Sequence, residues 1–143
     1  MTELSSKQKG NITEVECMLA FLKLGYNVLT PYGDCERYDF VVEVNNNFYK
    51  IQVKTARGGD EEQSNFVFSC TSSHINANRV AHQHYTKDEI DFFATFYKGK
   101  CYLVPVEECG KDKRLRLEPT KSGQVRGVNW AKDYELEVQL SKL

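Results

Sequence analysis

Two runs of alternating apolar and polar residues, separated by three consecutive asparagines, stand out along the chain. Over 36–57, Phe40, Val42 and Val44 alternate with polar neighbours on one side of the asparagines, and Tyr49, Ile51 and Val53 do so on the other. A period of two bounded by turn residues predicts a β-hairpin. Asparagine tolerates the positive φ of a two-residue hairpin loop, and a loop at Asn46-Asn47 sets Asn45 against Phe48, Glu43 against Lys50, Val41 against Gln52 and Asp39 against Lys54. Opposed residues point to the same side of a sheet. Asp39, Gln52 and Lys54 then share one face, with Glu43 and Lys50 as an opposite-charge pair further along it, while the six apolar residues occupy the other face. A four-residue loop preserves this division and a three-residue loop reverses it.

The same reading carries through the chain. Residues 1–9 are polar and expected to fray. From Asn11 to about Leu24, Ile12, Val15, Leu19 and Leu22 recur at helical spacing, Met18 and Phe21 widen the stripe, and Gly25 is a C-terminal stop. Residues 26–31 predict a short strand, and 31–34 a turn into the hairpin. A polar loop follows over 55–62. A strand is expected over 65–71, and further strands over 90–97 and 100–106 around a turn at Lys98-Gly99. Residues 72–87 lose all apolar periodicity and read as a long polar loop. Residues 111–114 form a charged link, 114–117 alternate basic with apolar, and 119–127 make a second glycine-containing basic loop. A last strand is placed near 135–140, with Trp130 and Tyr134 anchoring the tail. No internal repeat or domain boundary interrupts the pattern, so residues 1–143 read as a single domain.

Composition narrows the class. Hydrophobic residues at 41% and aromatics at 12% describe a folded globular protein. No apolar run reaches the roughly 20 residues of a membrane span, and no signal-peptide pattern opens the chain, so no membrane association is expected. Five cysteines without a CxxC pair fit a reduced, cytoplasmic protein rather than a disulfide framework. The formal net charge of −1 confines any nucleic-acid contact to local patches.

The polar face of the hairpin carries the candidate chemistry. Opposed strand residues lie about 5 Å apart, so the Asp39 carboxylate and the Gln52 amide oxygen can reach one hard divalent cation, which prefers oxygen ligands. Lys54 beside them would act as a charge stabiliser or proton handler, an arrangement suited to metal-assisted phosphodiester cleavage. Elsewhere, Arg57 follows the hairpin and is suited to a phosphate. Arg79, His82 and His84 in 72–87, with Asn76, Asn78 and Lys87 around them, suit contacts to DNA backbone or base edges, as do Lys121 and Arg126 in 119–127. His82-x-His84 supplies only two ligands for zinc and no evident third. Cys35 reads as incidental and Asp91 as structural. Glu14 reads from the residues alone as part of an Asn11-x-x-Glu14 capping arrangement.

Asp39 followed by Gln52-Val53-Lys54 on the next strand resembles the PD-(D/E)XK nuclease signature. More closely it resembles the group I intron-encoded homing endonucleases of that superfamily, in which Gln replaces the second acidic residue. Residues 25–34, 89–94, 102–106 and 129–136 are also similar to that family, so the resemblance covers nearly the whole chain. Tyr38 stands where the signature has Pro. The resemblance implies an α/β restriction-endonuclease-like core, a mixed twisted β-sheet flanked by helices. It implies a site-specific endonuclease acting on double-stranded DNA with Mg2+ (or Mn2+), as a homodimer or homotetramer. Asp39 and Gln52 would ligate the metal together with the backbone carbonyl of Val53. Lys54 would orient the attacking water or stabilise the phosphate, and Glu14 would complete the acidic side. A Holliday-junction-resolvase type of nuclease and an inactive DNA-binding module on the same fold are the alternatives.

Overall fold

The computed structural model describes residues 2–143 apart from 77–78, with side chains over 74–80 also outside the description. Helix α1 (Ser6–Lys23) opens the chain, and strands β1 (Asn27–Leu29), β2 (Phe40–Val44) and β3 (Asn47–Val53) follow. Next come β4 (Arg57–Gly58), β5 (Asn65–Ser69), β6 (Thr71–Asn76) and β7 (Arg79–His84). The remaining elements are β8 (Phe92–Tyr97), β9 (Lys100–Pro105), β10 (Asp112–Arg116) and the short helix α2 (Leu136–Leu140). Five strands form a mixed sheet in the order β1-β2-β3-β8-β9, in which only β3 and β8 run parallel. A second sheet has the order β10-β5-β4, and β6 and β7 form a two-stranded sheet.

Alternation along the strands divides the main sheet into two buried faces. Phe40, Val42, Val44, Ile51, Val53, Phe92, Ala94 and Leu103 pack toward the helices, against Cys17 and Phe21 of α1 and Leu136 and Leu140 of α2. Phe93, Tyr102 and Val104 point the other way, onto Phe66, Phe68 and Leu115 of the second sheet. The sheet is therefore sandwiched between a helical layer and a smaller sheet. This is the mixed α/β arrangement the sequence predicts.

The hairpin turn lies one residue earlier than expected. Asn45 (φ 52°) and Asn46 (φ 66°) take the positive φ values, and Asn47 already pairs with Val44. The Asn47 side chain donates back to the Asn45 carbonyl at 3.3 Å, which closes the turn. Every partner shifts by two residues: Val41 faces Lys50 and Glu43 faces Phe48. The expected Glu43–Lys50 pair does not form. Asn27 donates to Glu43 at 3.2 Å, and the Lys50 ammonium donates to the Asp88 carbonyl. A shift of two leaves each residue on its face, so the division into an apolar and a polar side stands.

Helix α1 differs more. Ser5 and Gln8 form a reciprocal capping box that starts the helix at Ser6, which removes the frayed end and the proposed cap by Asn11 and Glu14. The buried face carries Thr13, Cys17 and Phe21, with Met18 and Ala20 partly covered. Ile12, Val15, Leu19 and Leu22 lie on the opposite side and remain between 45% and 58% exposed. Apolar residues run almost all the way round this helix. The small Gly10, Thr13 and Cys17 select the face that approaches the sheet most closely: a Cβ on Gly10 would lie 4.0 Å from Thr55 Oγ1, and the Thr13 and Thr55 hydroxyls are 3.5 Å apart.

Two other segments depart from expectation. Residues 72–87 are no loop but mostly the β6–β7 hairpin, whose pairing runs from Thr71–His84 to Asn76–Arg79. Residues 136–140 alternate like a strand yet form α2, because Leu136 and Leu140, four apart, can both reach the core while Val138 stays 38% exposed. The charged link over 111–114 largely belongs to β10. Tyr134 anchors the tail as expected, its hydroxyl donating to Glu108 Oε1 at 2.7 Å. Asp91 is structural: it accepts from the Lys50 backbone N–H at 2.8 Å through its side chain and ties β3 to β8.

Candidate active site

The β2–β3 hairpin brings Asp39, Gln52 and Lys54 to one side of the sheet end. Asp39 sits one residue before the Phe40–Ile51 pair, and its backbone N–H donates to Ile51 O at 2.8 Å. Its Oδ2 accepts the Val53 N–H at 2.7 Å. That bond fixes the carboxylate beside the strand and leaves Oδ1 for another partner. Burial raises the Asp39 carboxyl above its usual range, opposed by the Val53 hydrogen bond and the Lys54 charge. Burial also pushes the Lys54 ammonium below its usual range, Asp39 opposes this, and Arg37 adds to it. Each charge is thus disfavoured by its surroundings and supported by the other, as at sites where charge is put to chemical use.

Lys54 is held rather than free. Its Nζ donates to the Thr71 carbonyl at 2.9 Å and lies 5.1 Å from the centre of the Tyr85 ring. Gln52 turns its amide nitrogen to the Val53 carbonyl at 3.3 Å, so its oxygen faces away from that bond. Across the sheet end, Glu14 and Asp39 line one cleft of about 290 Å³ with Thr30, Pro31, Gly33, Asp34, Glu36 and Tyr38. The rotation that exposes Ile12 and Val15 is the one that turns Glu14 inward, on the same side of α1 as Cys17 and Phe21. Burial, and next the Asp39 charge, hold the Glu14 carboxyl above its ordinary value.

The chain belongs to the PD-(D/E)XK endonuclease family. The family's profile matches residues 4–137, which span both the Asp39–Lys54 hairpin and the Glu14 helix. The structure is also similar to that of a bacterial homing endonuclease, I-Ssp6803I, with a TM-score of 0.77 and 24% sequence identity over 97% of each chain. That likeness establishes the shared restriction-endonuclease-like fold. No curated protein sequence matches this one. Among the described residues no helix is long and apolar enough to cross a membrane.

For a divalent cation, the chain offers Asp39 Oδ1, the Gln52 amide oxygen, the Val53 carbonyl and, across the cleft, Glu14. All are hard oxygen donors of the type Mg2+ or Mn2+ takes. No three His, Cys, Asp or Glu side chains cluster as a metal site among the described residues.

The remaining candidates are scattered. His82 and His84 are exposed on β7, His82 Nδ1 lying 3.5 Å from the Ser73 hydroxyl. Arg79 opens the same strand, its side chain outside the described set, and Asn78 lies outside the described residues altogether. Arg57 is exposed on β4. Lys121 pairs with Glu62 at 2.7 Å, and Arg126 is exposed; neither lines the cleft of Asp39.

Sequence reasoning missed a cluster around Arg37. Its NH1 donates to the His84 carbonyl at 2.8 Å and to both Glu89 carboxylate oxygens at 2.9 and 3.0 Å. Its NH2 donates to Ser72 Oγ at 2.7 Å, and its guanidinium lies 3.7 Å above the Tyr85 ring. Nothing in the spacing of these residues announces the cluster.

Proposed function

We propose that this nuclease-family chain is a site-specific, divalent-metal-dependent endonuclease of the homing type, hydrolysing phosphodiester bonds in double-stranded DNA in a reducing cytoplasm. The observation that carries the reading is the placement of Asp39 and Lys54 on one face of adjoining strands, half-buried and oppositely charged, with Glu14 across the cleft. Asp39, Gln52 and the Val53 carbonyl are the residues we assign to Mg2+ (or Mn2+), which when bound supplies Lewis-acid stabilisation of charge on a phosphoryl oxygen. Lys54 carries a positive charge to the same phosphate, where charge builds in the transition state. Glu14, its carboxyl held above its ordinary value by burial and by the Asp39 charge, is placed to accept a proton from the attacking water.

The β6–β7 ribbon supports double-stranded DNA as the partner. A two-stranded β-ribbon fits the major groove, and this one presents exposed His82 and His84 on the strand that Arg79 opens. Its base holds Lys54 through Thr71, so a ribbon seated in a groove would bring the site to the adjacent backbone. Arg57, Lys121 and Arg126 are assigned to phosphates, Lys121 after exchanging Glu62.

Cutting both strands takes two sites, and closed symmetric pairing supplies them. The uncharged Ile12–Val15–Leu19–Leu22 face of α1 is the surface assigned to a second copy in a homodimer or homotetramer, since a contiguous exposed apolar patch marks an interaction site. Leu19→Glu is expected to shift the sedimenting species to a monomer with the fold retained; an unchanged sedimentation coefficient would move the interface elsewhere.

Neutral Gln52 also favours a second reading, an inactive DNA-binding module on the same fold. DNA binding without cleavage would favour it, and Gln52→Glu tests the ligand assignment itself. As a ligand position, it is expected to tighten Mn2+ binding by roughly tenfold, about 1.4 kcal/mol, measured by calorimetry on the protein without DNA. Unchanged affinity removes Gln52 from the ligand set. Cutting of four-way junctions irrespective of sequence would instead favour a resolvase-type nuclease.

A further inference from the structure

Arg37 precedes Asp39 by two residues, yet the bonds from its NH1 and NH2 groups all run to residues 35 to 52 positions away. It reaches Ser72 on β6 and the Gln83 and His84 carbonyls on β7, the two ends that meet where the ribbon leaves the body of the protein. Glu89 clasps the guanidinium from outside through both oxygens, and is itself held by the Thr86 backbone N–H at 3.0 Å and the Thr86 hydroxyl at 3.2 Å. The Tyr85 ring lies beneath the guanidinium and also meets Lys54 Nζ at 5.1 Å and the Phe93 ring, edge-on at 5.2 Å between centroids. Thr71, the residue before Ser72, accepts from Lys54. Both supports of the Lys54 side chain are therefore attached to residues that Arg37 clamps.

We propose that Arg37 is a positioning residue for strand cleavage: its planar fork locks the base of the β6–β7 ribbon to the strand of Asp39, and so holds Lys54, through Tyr85 and the Thr71 carbonyl, in register with Asp39. The inference rests on the reading of Lys54 as a catalytic residue. It also links the ribbon assigned to DNA with the residue that acts on it, since a movement of the ribbon base moves Thr71 and Tyr85 together.

Guanidinium geometry makes the claim specific. An ammonium at position 37 keeps the charge but cannot bridge two strand ends, a carboxylate and an aromatic face at once. A misplacement of about 1 Å at a reacting centre can cost roughly 100-fold in rate. Arg37→Lys is therefore expected to lower the single-turnover cleavage rate by about 10- to 100-fold with Mg2+, while DNA affinity changes by less than about threefold. Tyr85→Leu, which removes the ring and leaves the Arg37 bonds to Ser72, Gln83, His84 and Glu89, is expected to lose rate in the same sense and serves if the Arg37 variants do not fold. Amide hydrogen exchange at 71–72 and 83–85 needs no substrate and is expected to quicken at least tenfold in Arg37→Lys, with the α1 core unchanged.

Arg37→Lys cutting at the wild-type rate, a rate and affinity that fall in parallel, or unchanged exchange at the ribbon base would each overturn the positioning role. Lys54→Ala run alongside keeps the two claims apart. If Lys54→Ala cuts normally, the catalytic reading fails. If it is inactive while Arg37→Lys is normal, only the role of Arg37 fails.

Discussion

Lys54→Ala and Asp39→Asn are each expected to lower DNA cleavage by about 10³-fold or more while leaving DNA affinity within a few fold of wild type. The two side chains touch little that holds the fold together. Among the described residues the Lys54 side chain has one hydrogen bond, to the Thr71 carbonyl, and Asn at position 39 retains an oxygen for the Val53 N–H. Their charges, in contrast, face each other in a half-buried setting that raises the Asp39 carboxyl and depresses the Lys54 ammonium. Groups aimed at developing charge act on the transition state rather than on the bound substrate, and losing one such donor typically removes about 100- to 1,000-fold of rate. Loss of the carboxylate assigned to the metal adds to that. Gel analysis of cleavage and a binding titration on the same preparations separate the two quantities. A variant that cuts at the wild-type rate removes its residue from the mechanism.

The largest expected effect on stability is at Phe40, the neighbour of Asp39. Phe40 is fully buried, and its ring meets Phe21 of α1 edge-on at 5.7 Å. It joins the Asp39–Lys54 hairpin to the helix that carries Glu14, because Phe40 and its neighbour Asp39 alternate to opposite sides of the sheet and Phe21 and Glu14 share the inner side of α1. Phe40→Ala removes most of a buried aromatic ring and leaves a cavity between sheet and helix, which costs about 3–5 kcal/mol. Against a whole-domain stability of about 5–15 kcal/mol, the variant is expected to unfold at a much lower urea concentration, and to lose cleavage as Glu14 separates from Asp39. A urea midpoint close to wild type would show that this contact is not what joins the two layers.

The polar face of the hairpin was legible because a period of two survives a register error of two. Three consecutive asparagines make the turn position ambiguous, yet Asp39, Gln52 and Lys54 keep their side either way. The inward face of α1 was not legible by the same logic. Ile12, Val15, Leu19 and Leu22 form the stronger apolar stripe, and close approach by Gly10, Thr13 and Cys17 overrides it. The ribbon was illegible because polar residues occupy both its faces, so no alternation marks its strands. Residues 136–140 misled in the opposite sense, since Leu-Glu-Val-Gln-Leu satisfies period two and an i, i+4 pair equally well. Glu14 entered the site through resemblance; the capping box at Ser5 and Gln8 then removed its competing role. Arg37 carries no local signal at all, because every partner it holds is brought to it by the tertiary fold.

The central claim, a metal-dependent endonuclease built on Asp39 and Lys54, is tested most directly by incubating the purified protein with a complex double-stranded DNA. The reactions contain Mg2+ or chelator, with Lys54→Ala alongside, and the products are resolved on a gel. The account predicts discrete fragments with Mg2+, none with chelator and none with Lys54→Ala. Fragments that persist in chelator or with Lys54→Ala, or intact DNA despite measurable binding, would contradict it.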